Sequence, residues 1–420
     1  MTALRSLLLA SFAALTLALL SPAARGQAAA PAGSATQPLV FGGVSISPDG
    51  VLSARAAMPA KPSKHADPKL AYVSLPRAFD ALKVHVANHT QPPADLLNLG
   101  NLTQIQYVFV YPGQHDLVIA GPTGPLDPKA QAPADRPTLK LDDLIVALRV
   151  TREAAGIYGC SLDLAPGSLA AVTDAVRNLS NGPAATLVAE VKRVVGPQIV
   201  RVVGVPDNSR IALSMLAADY RLKRMAMGVE APPAPGVGSG LGSGAAANRL
   251  WFTAQYDPLL VSEDSLSYEL RGPRLSVDAG AQLFEARGAS ESALRFAKNF
   301  SDKMPAIAAR VDAIADLQNV TDLLVVAALI NRDHLDEKAA VDLSWPLDPA
   351  AYASATYPTP KTADTIVNNL PDSLVTGGVY IAPSSLIKSR QPDTKNTLPP
   401  LRHRPETDWL LPRAPEPPAK

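Results

Sequence analysis

Between Ala231 and Ala247 the chain gives up the means of packing. Three prolines and two alanines run into Gly236-Val237-Gly238-Ser239-Gly240-Leu241-Gly242-Ser243-Gly244. Such a stretch offers almost no side chain to bury, which predicts a flexible Gly/Pro/Ser linker over residues 231–247. A chain of 420 residues is also longer than one hydrophobic core usually serves. The expectation is therefore two mixed strand and helix units of the α+β class. An N-terminal α+β domain is placed at residues 39–230 and a C-terminal α+β domain at 248–388.

Periodicity fills in both units. Val44-Ser45-Ile46-Ser47, a Pro48-Asp49-Gly50 turn and Val51-Leu52 predict a β-hairpin. Residues 77–88 read as helix, 105–111 as a strand and 117–120 as its partner. Leu141, Leu144, Ile145 and Leu148 have the spacing of one helical stripe. Cys160, Leu162 and Leu164 share one face of a short strand, and two helices follow, the second ending at Gly196. Residues 199–205 predict a buried strand, 211–213 a strand beside it, and 215–228 a helix. In the second unit, 250–254 is a strand and 259–270 a hairpin that buries Leu266, Tyr268 and Leu270 and exposes Ser267. Residues 290–338 are helical with a break near Pro305, and 375–382 form a last strand. Leu323 to Ile330 is apolar all round, which places it at the centre of a core. Gly377-Gly378-Val379-Tyr380-Ile381-Ala382-Pro383 echoes Gly42-Gly43-Val44-Ser45-Ile46-Ser47-Pro48. The echo fits two equivalent strands, two neighbouring strands, or coincidence.

The ends read differently. Arg5, the apolar Ser6 to Leu20, and small residues at Ala24, Gly26 and Ala28 occur in the order of a cleavable signal peptide, placed at residues 1–26. The apolar run of about 15 residues is shorter than the roughly 20 of a spanning helix. No cysteine lies nearby, which excludes lipid attachment at a mature N-terminal cysteine. Residues 27–38 read as a flexible tether and 389–420 as a Pro-rich disordered tail. After signal cleavage no transmembrane helix is expected, because Leu323 to Ile330 runs straight into Asn331, Arg332 and Asp333. The predicted destination is the periplasm, the extracellular space or the cell surface. Five Asn-x-Ser/Thr sites (Asn88, Asn101, Asn178, Asn299, Asn319) would matter only in a eukaryotic secretory pathway.

Chemistry is sparse. A net charge of +1 shows no basic excess, so nucleic acid is not an expected partner. Cys160 is the single cysteine, and its alternation with leucines predicts a buried, inert thiol. His85 and His89 are four apart on a helix but lack further ligands, so no metal site is assigned. Ser385-Leu386-Ile387-Lys388 fits a Ser-x-x-Lys pattern whose companion motifs are absent. Asp142-Asp143 and Glu263-Asp264 are acidic pairs, the first suited to an opening helical turn. No cofactor motif is present. The best binding candidates are Arg221, Lys223 and Arg224. They lie in a helix where Asp219 and Lys223 can pair and the arginines could clamp a carboxylate or phosphate.

Several segments resemble a known family. Tyr107-Val108-Phe109-Val110-Tyr111-Pro112, Asp116-Leu117-Val118-Ile119-Ala120-Gly121-Pro122, Leu141-Asp142-Asp143-Leu144 and, most recognisably, Asp219-Tyr220-Arg221-Leu222-Lys223-Arg224-Met225-Ala226-Met227-Gly228 are similar to exported planctomycete proteins with domain of unknown function 1598. Leu259 to Asp264 and Asp322 to Ile330 are similar to family members outside that domain. The resemblance implies a bacterial exported protein and no activity. The expected role is a non-catalytic binding or assembly protein of the cell envelope, its partner an unnamed protein or envelope component. The alternative is an extracytoplasmic hydrolase with a site between the two units.

Overall fold

The computed structural model describes residues 37–55, 70–123, 126–127, 132–133, 137–152, 156–179, 181–238, 246–280, 289–368 and 373–402. The predicted signal peptide, nearly all of the tether and residues 403–420 lie outside them.

Numbered along the chain, the strands begin with β1 (Leu39–Phe41), β2 (Val44–Ile46), β3 (Val51–Ala54), β4 (Leu70–Ser74), β5 (Tyr107–Tyr111) and β6 (Asp116–Pro122). A short ribbon of β7 (Leu126–Asp127) and β8 (Ala132–Pro133) precedes β9 (Tyr158–Asp163) and β10 (Gln198–Val203). Then come β11 (Ala246–Gln255), β12 (Leu259–Val261), β13 (Ser267–Glu269), β14 (Arg274–Ala279), β15 (Thr362–Ala363), β16 (Ser373–Ile381) and β17 (Arg390–Pro392). The helices are α1 (Leu75–Ala87), α2 (Ala94–Leu97), α3 (Leu141–Val150), α4 (Ser168–Leu179), α5 (Ala184–Val195) and α6 (Arg210–Ala226). They continue with α7 (Glu291–Asp302), α8 (Met304–Ala308), α9 (Asp312–Asp333), α10 (Leu335–Ala339), α11 (Ser344–Leu347), α12 (Pro383–Leu386) and α13 (Leu398–Leu401). Helices and mixed sheets together make the fold α+β, as the periodicity predicts.

The larger sheet has nine strands in the order β1-β2-β3-β15-β10-β9-β16-β11-β14. β3 with β15 and β11 with β16 are its parallel pairs; the other neighbours are antiparallel. The smaller sheet runs β17-β12-β13-β5-β6-β4. Both sheets therefore mix strands from before and after residues 231–247. The main core draws residues from Val44 to Ile387, and the described residues belong to one compact unit. The expected pair of separate cores is corrected by these pairings. Strand β16 hydrogen-bonds to β9 on one side and β11 on the other, so neither half completes a sheet alone.

The linker expectation changes with it. Ala234 and Val237 are buried in the shared core, and Arg310 Nη1 donates to the Pro233 carbonyl at 2.6 Å. A few small apolar side chains suffice to anchor a Pro/Gly segment. Residues 239–245 lie outside the described set. The predicted disordered tail is likewise ordered from Ser389 to Arg402, where β17 pairs with β12 and α13 follows. Composition alone does not register that a sheet edge was waiting for this segment.

Local differences have local causes. The 199–205 run is strand β10, but its residues alternate between partly buried and exposed, and Val203 is 55% exposed. Residues 211–213 are not a strand; they belong to α6, which starts at Arg210 because Ser209 caps it by accepting from the Ala212 N–H. Ser267 is buried on β13, where its N–H donates to Ser262 Oγ at 2.9 Å. The two Gly-Gly-Val segments are not neighbours, since β3, β15, β10 and β9 stand between β2 and β16. Asn101 and Asn319, two of the five Asn-x-Ser/Thr positions, are buried.

Helices α6 and α9 form the centre. Helix α6 lies on β9 and β16, while α9 packs across α6 and α3. Helix α9 spans 22 residues, so the apolar helix is far longer than the eight residues that the sequence marks out. By length and composition it could cross a membrane, yet its most apolar stretch is entirely buried inside the protein.

Candidate functional site

Burying α6 and α9 together forces their charged residues to find partners inside the fold. Lys223 and Asp219, one turn apart on α6, are both essentially inaccessible, and the Lys223 Nζ donates to Asp219 Oδ2 at 2.5 Å. It also donates to the Gly377 carbonyl at 3.0 Å. Burial pushes the Asp219 carboxyl up, with Lys223 pulling it down less strongly. Its other oxygen, Oδ1, has no hydrogen-bond partner among the described residues.

The end of α6 builds a second pairing. Gly228 adopts φ +67, a left-handed turn that folds the chain back onto the helix. Val229 and Glu230 N–H groups then donate to the Arg224 carbonyl. This places Glu230 where it accepts from both Arg221 and Arg224, the latter at 3.2 Å. Arg221 Nη1 also donates to the Gly42 carbonyl at 3.3 Å. A Cβ on Gly43 would lie 2.2 Å from that same nitrogen. The two Gly-Gly segments thus meet one helix: Gly42 and Gly43 beneath Arg221, Gly377 beneath Lys223.

The three predicted binding residues are therefore brought together, but toward the interior. Lys223 cannot meet an outside ligand, and the two arginines already share a carboxylate.

Two further networks tie α9 to its neighbours. Arg210 Nη1 reaches Asp143 Oδ2 at 2.5 Å, and Arg210 Nη2 reaches both oxygens of Asp316 at 2.6 Å. Two carboxylates share this one guanidinium, and Lys140 lies near enough to interact with all three. Burial first, and Asp316 in addition, push Asp143 up to about 6 despite Arg210. Arg274 holds Asp322 through Nε (2.9 Å) and Nη2 (2.7 Å), and Tyr256 Oη and the Ile105 N–H donate to the same carboxylate. Asp142 and Asp143 do open α3, as the dipole argument predicts, with Asp142 accepting from Tyr352 Oη and the Ala355 N–H.

The other candidates are placed as follows. Cys160 is buried, and burial raises its thiol well above the ordinary range. His85 is half-buried with Nδ1 2.8 Å from Thr90 Oγ1, and His89 lies just beyond α1 at φ +52. Among the described residues no group of three or more His, Cys, Asp or Glu is placed to hold a metal. Ser385 Oγ donates to the Ala382 carbonyl at 2.8 Å. Asp264 accepts from Ser262 Oγ and pairs with Arg402 at 2.7 Å.

Solvent-facing polar groups converge elsewhere, in an open cleft of about 410 Å³. Asn331 Nδ2 donates to the Leu148 carbonyl (2.9 Å) and to Thr151 Oγ1 (2.7 Å), fastening the end of α9 to the end of α3. Arg152 and Arg332 follow at these two C-terminal ends, where the helix dipole favours cations. His334, in the left-handed region at φ +51, turns α9 into α10, whose first turn carries Asp336 and Glu337. Acidic residues suit that N-terminal end for the same reason. Ser384 on α12 completes the polar lining, and Tyr158, Ala328 and Ile387 supply apolar wall. Arg152 Nη2 is 3.9 Å from Asp336, and His334 Nδ1 is 3.3 Å from Glu337. Arg332 is exposed and has no ion-pair partner among the described residues. Sequence reading missed this set. Its one visible signal is the abrupt polar run Asn331-Arg332-Asp333-His334 after the apolar stretch, and the remaining residues are remote in the chain.

Residues 160–239 match the model of a family described as Protein of unknown function (DUF1598). The match runs from β9 through α6 into the Pro/Gly segment, and so contains Asp219 to Gly228. The similar segments at 107–122, 141–144, 259–264 and 322–330 fall outside it. No curated protein and no solved structure matches the chain.

Proposed function

We propose that this chain is an exported, non-catalytic binding protein of the cell envelope, and that the cleft at the ends of α3 and α9 seats its ligand. The observation that carries the reading is Arg332, an exposed guanidinium with no ion-pair partner among the described residues, in a cleft that also offers Asp336 and Glu337. Charges of both signs in one cleft suit a ligand that bears both, such as an unblocked short peptide. The guanidinium would take the carboxylate in a fork, and the acidic pair the ammonium.

Thermal-shift measurements with short peptides, unblocked and with both termini blocked, test this. Unblocked peptides are expected to raise the melting temperature of the native chain and not that of Arg332→Gln. No shift with any peptide would remove the cleft from consideration. Export is supported by the order of Arg5, the apolar run and the small residues, and by the resemblance to exported planctomycete proteins. N-terminal sequencing of the protein from envelope fractions is expected to begin near residue 27; an intact Met1 in the cytosol would overturn it.

One observation favours a hydrolase instead: Ser384, His334 and Glu337 line the same cleft, with the imidazole 3.3 Å from the carboxylate. Labelling of Ser384 by a fluorophosphonate, abolished in Ser384→Ala, would establish that reading in place of the first.

A further inference from the structure

The second face of the smaller sheet carries an aromatic stripe. Tyr107, Phe109 and Tyr111 alternate along β5, so all three project from the side opposite Val108 and Val110. Tyr107 and Phe109 stack with ring centres 5.7 Å apart, and Tyr72 of β4 stacks on Phe109 at 6.0 Å. This cluster is separate from the main core.

Among the described residues, the segment Leu398-Pro399-Pro400-Leu401-Arg402 lies against it. Leu401 packs on the aromatic cluster. Tyr72 Oη donates to the Leu401 carbonyl at 3.1 Å, and Tyr111 Oη to the Arg402 carbonyl at 2.9 Å. Arg402 Nη2 meets Asp264 Oδ2, in the turn between β12 and β13, at 2.7 Å. A stripe of rings, phenol donors aimed at main-chain carbonyls, and an acid at one end together hold this proline-containing segment, which lies on the face as one helical turn, α13. Prolines suit such a face because their restricted backbone has little freedom to lose on binding.

We propose that this face is a peptide-docking groove, occupied in cis by Leu398–Arg402, and that it accepts a segment of the same Leu-Pro-Pro-Leu-Arg chemistry from a partner protein once its own segment is lifted. The cis segment acts as a built-in competitor. Leu401, two phenol hydrogen bonds and one ion pair hold it, whereas the groove belongs to a sheet fixed on its other face by the core.

A fluorescein-labelled peptide of residues 393–406 tests the groove against the full chain. Full-length Leu401→Asp/Arg402→Glu, with its own segment released, is expected to bind the peptide about tenfold more tightly than the native chain. Adding Tyr72→Phe or Tyr111→Phe, each removing one phenol donor, is expected to weaken binding about fivefold. A folded released variant that ignores the peptide, or binds a scrambled one equally, overturns the proposal. Hydrogen exchange on the native chain decides independently of that variant. Excess peptide is expected to speed exchange at residues 398–402, and unchanged exchange also overturns the proposal.

Discussion

Gly378 has no room for a side chain: a Cβ there would lie 1.8 Å from the Cys160 carbonyl oxygen of the neighbouring strand. Gly378→Ala must push β16 and β9 apart, and is expected to cost ~3 kcal/mol or more of stability by urea unfolding. Lys223→Met leaves the Asp219 carboxyl buried and alone, at an expected cost of ~3–5 kcal/mol. Lys223→Met with Asp219→Leu removes both charges and is expected to recover most of that loss. If the double substitution is no better than the single one, the pair does more than neutralise itself. Asp143 carries a pH signature. Its folded value of about 6 lies above the unfolded value of ~3.9. Between those values the folded chain holds a proton that the unfolded chain has lost, so stability declines as pH rises through the window. Asp143→Asn cannot titrate there, and is expected to remove a decline of as much as ~2–3 kcal/mol between about pH 4 and pH 6. Equal pH dependence in the native chain and the variant would refute the raised value.

At the scale of elements, hydrophobicity alone finds the buried Leu323 to Ile330 of α9 but not the burial of Ala313 to Asp322, which includes Asp316 and Asp322 held by arginines. Leu324→Asp places an unpaired carboxylate at its centre and is expected to abolish soluble expression. A protease-resistant product would show that the helix tolerates solvent. Most strands and helices were legible because their signals are local: alternation in β2 and β5, the one-sided stripe of α3, Gly196 ending α5. The extension of α6 back to Arg210 was not, because Ser209 as its cap competes with the apolar look of Ile211 to Leu213. The direction of α6 was also hidden. Asp219, Arg221, Lys223 and Arg224 are charged enough to suit a solvent-facing stripe, and it is the long-range arrival of Gly42 and Gly377, with Glu230 brought back by the Gly228 turn, that accounts for their inward placement. The cleft residues escaped for the same reason, being gathered from α3, α9, α10 and α12.

For the molecule as a whole, the shared sheets make a thermodynamic statement. Two separately folding units would unfold in two steps, but a core that both halves build is expected to melt in one. Calorimetry with equal van't Hoff and calorimetric enthalpies would agree, and two resolved transitions would not. Pro-rich composition and the Gly/Ser run point toward division because they report local packing capacity, whereas strand order is set by partners far along the chain. The position of β16 has a consequence for biogenesis. Synthesis makes this interior strand after both of its neighbours, so β9 and β11 emerge long before the strand that must lie between them. Until residues near 381 leave the ribosome, two sheet edges stay open and the chain has no complete native state to fall into. Open edges of that kind invite pairing with other chains, so aggregation during synthesis is expected to fall once β16 has taken its place.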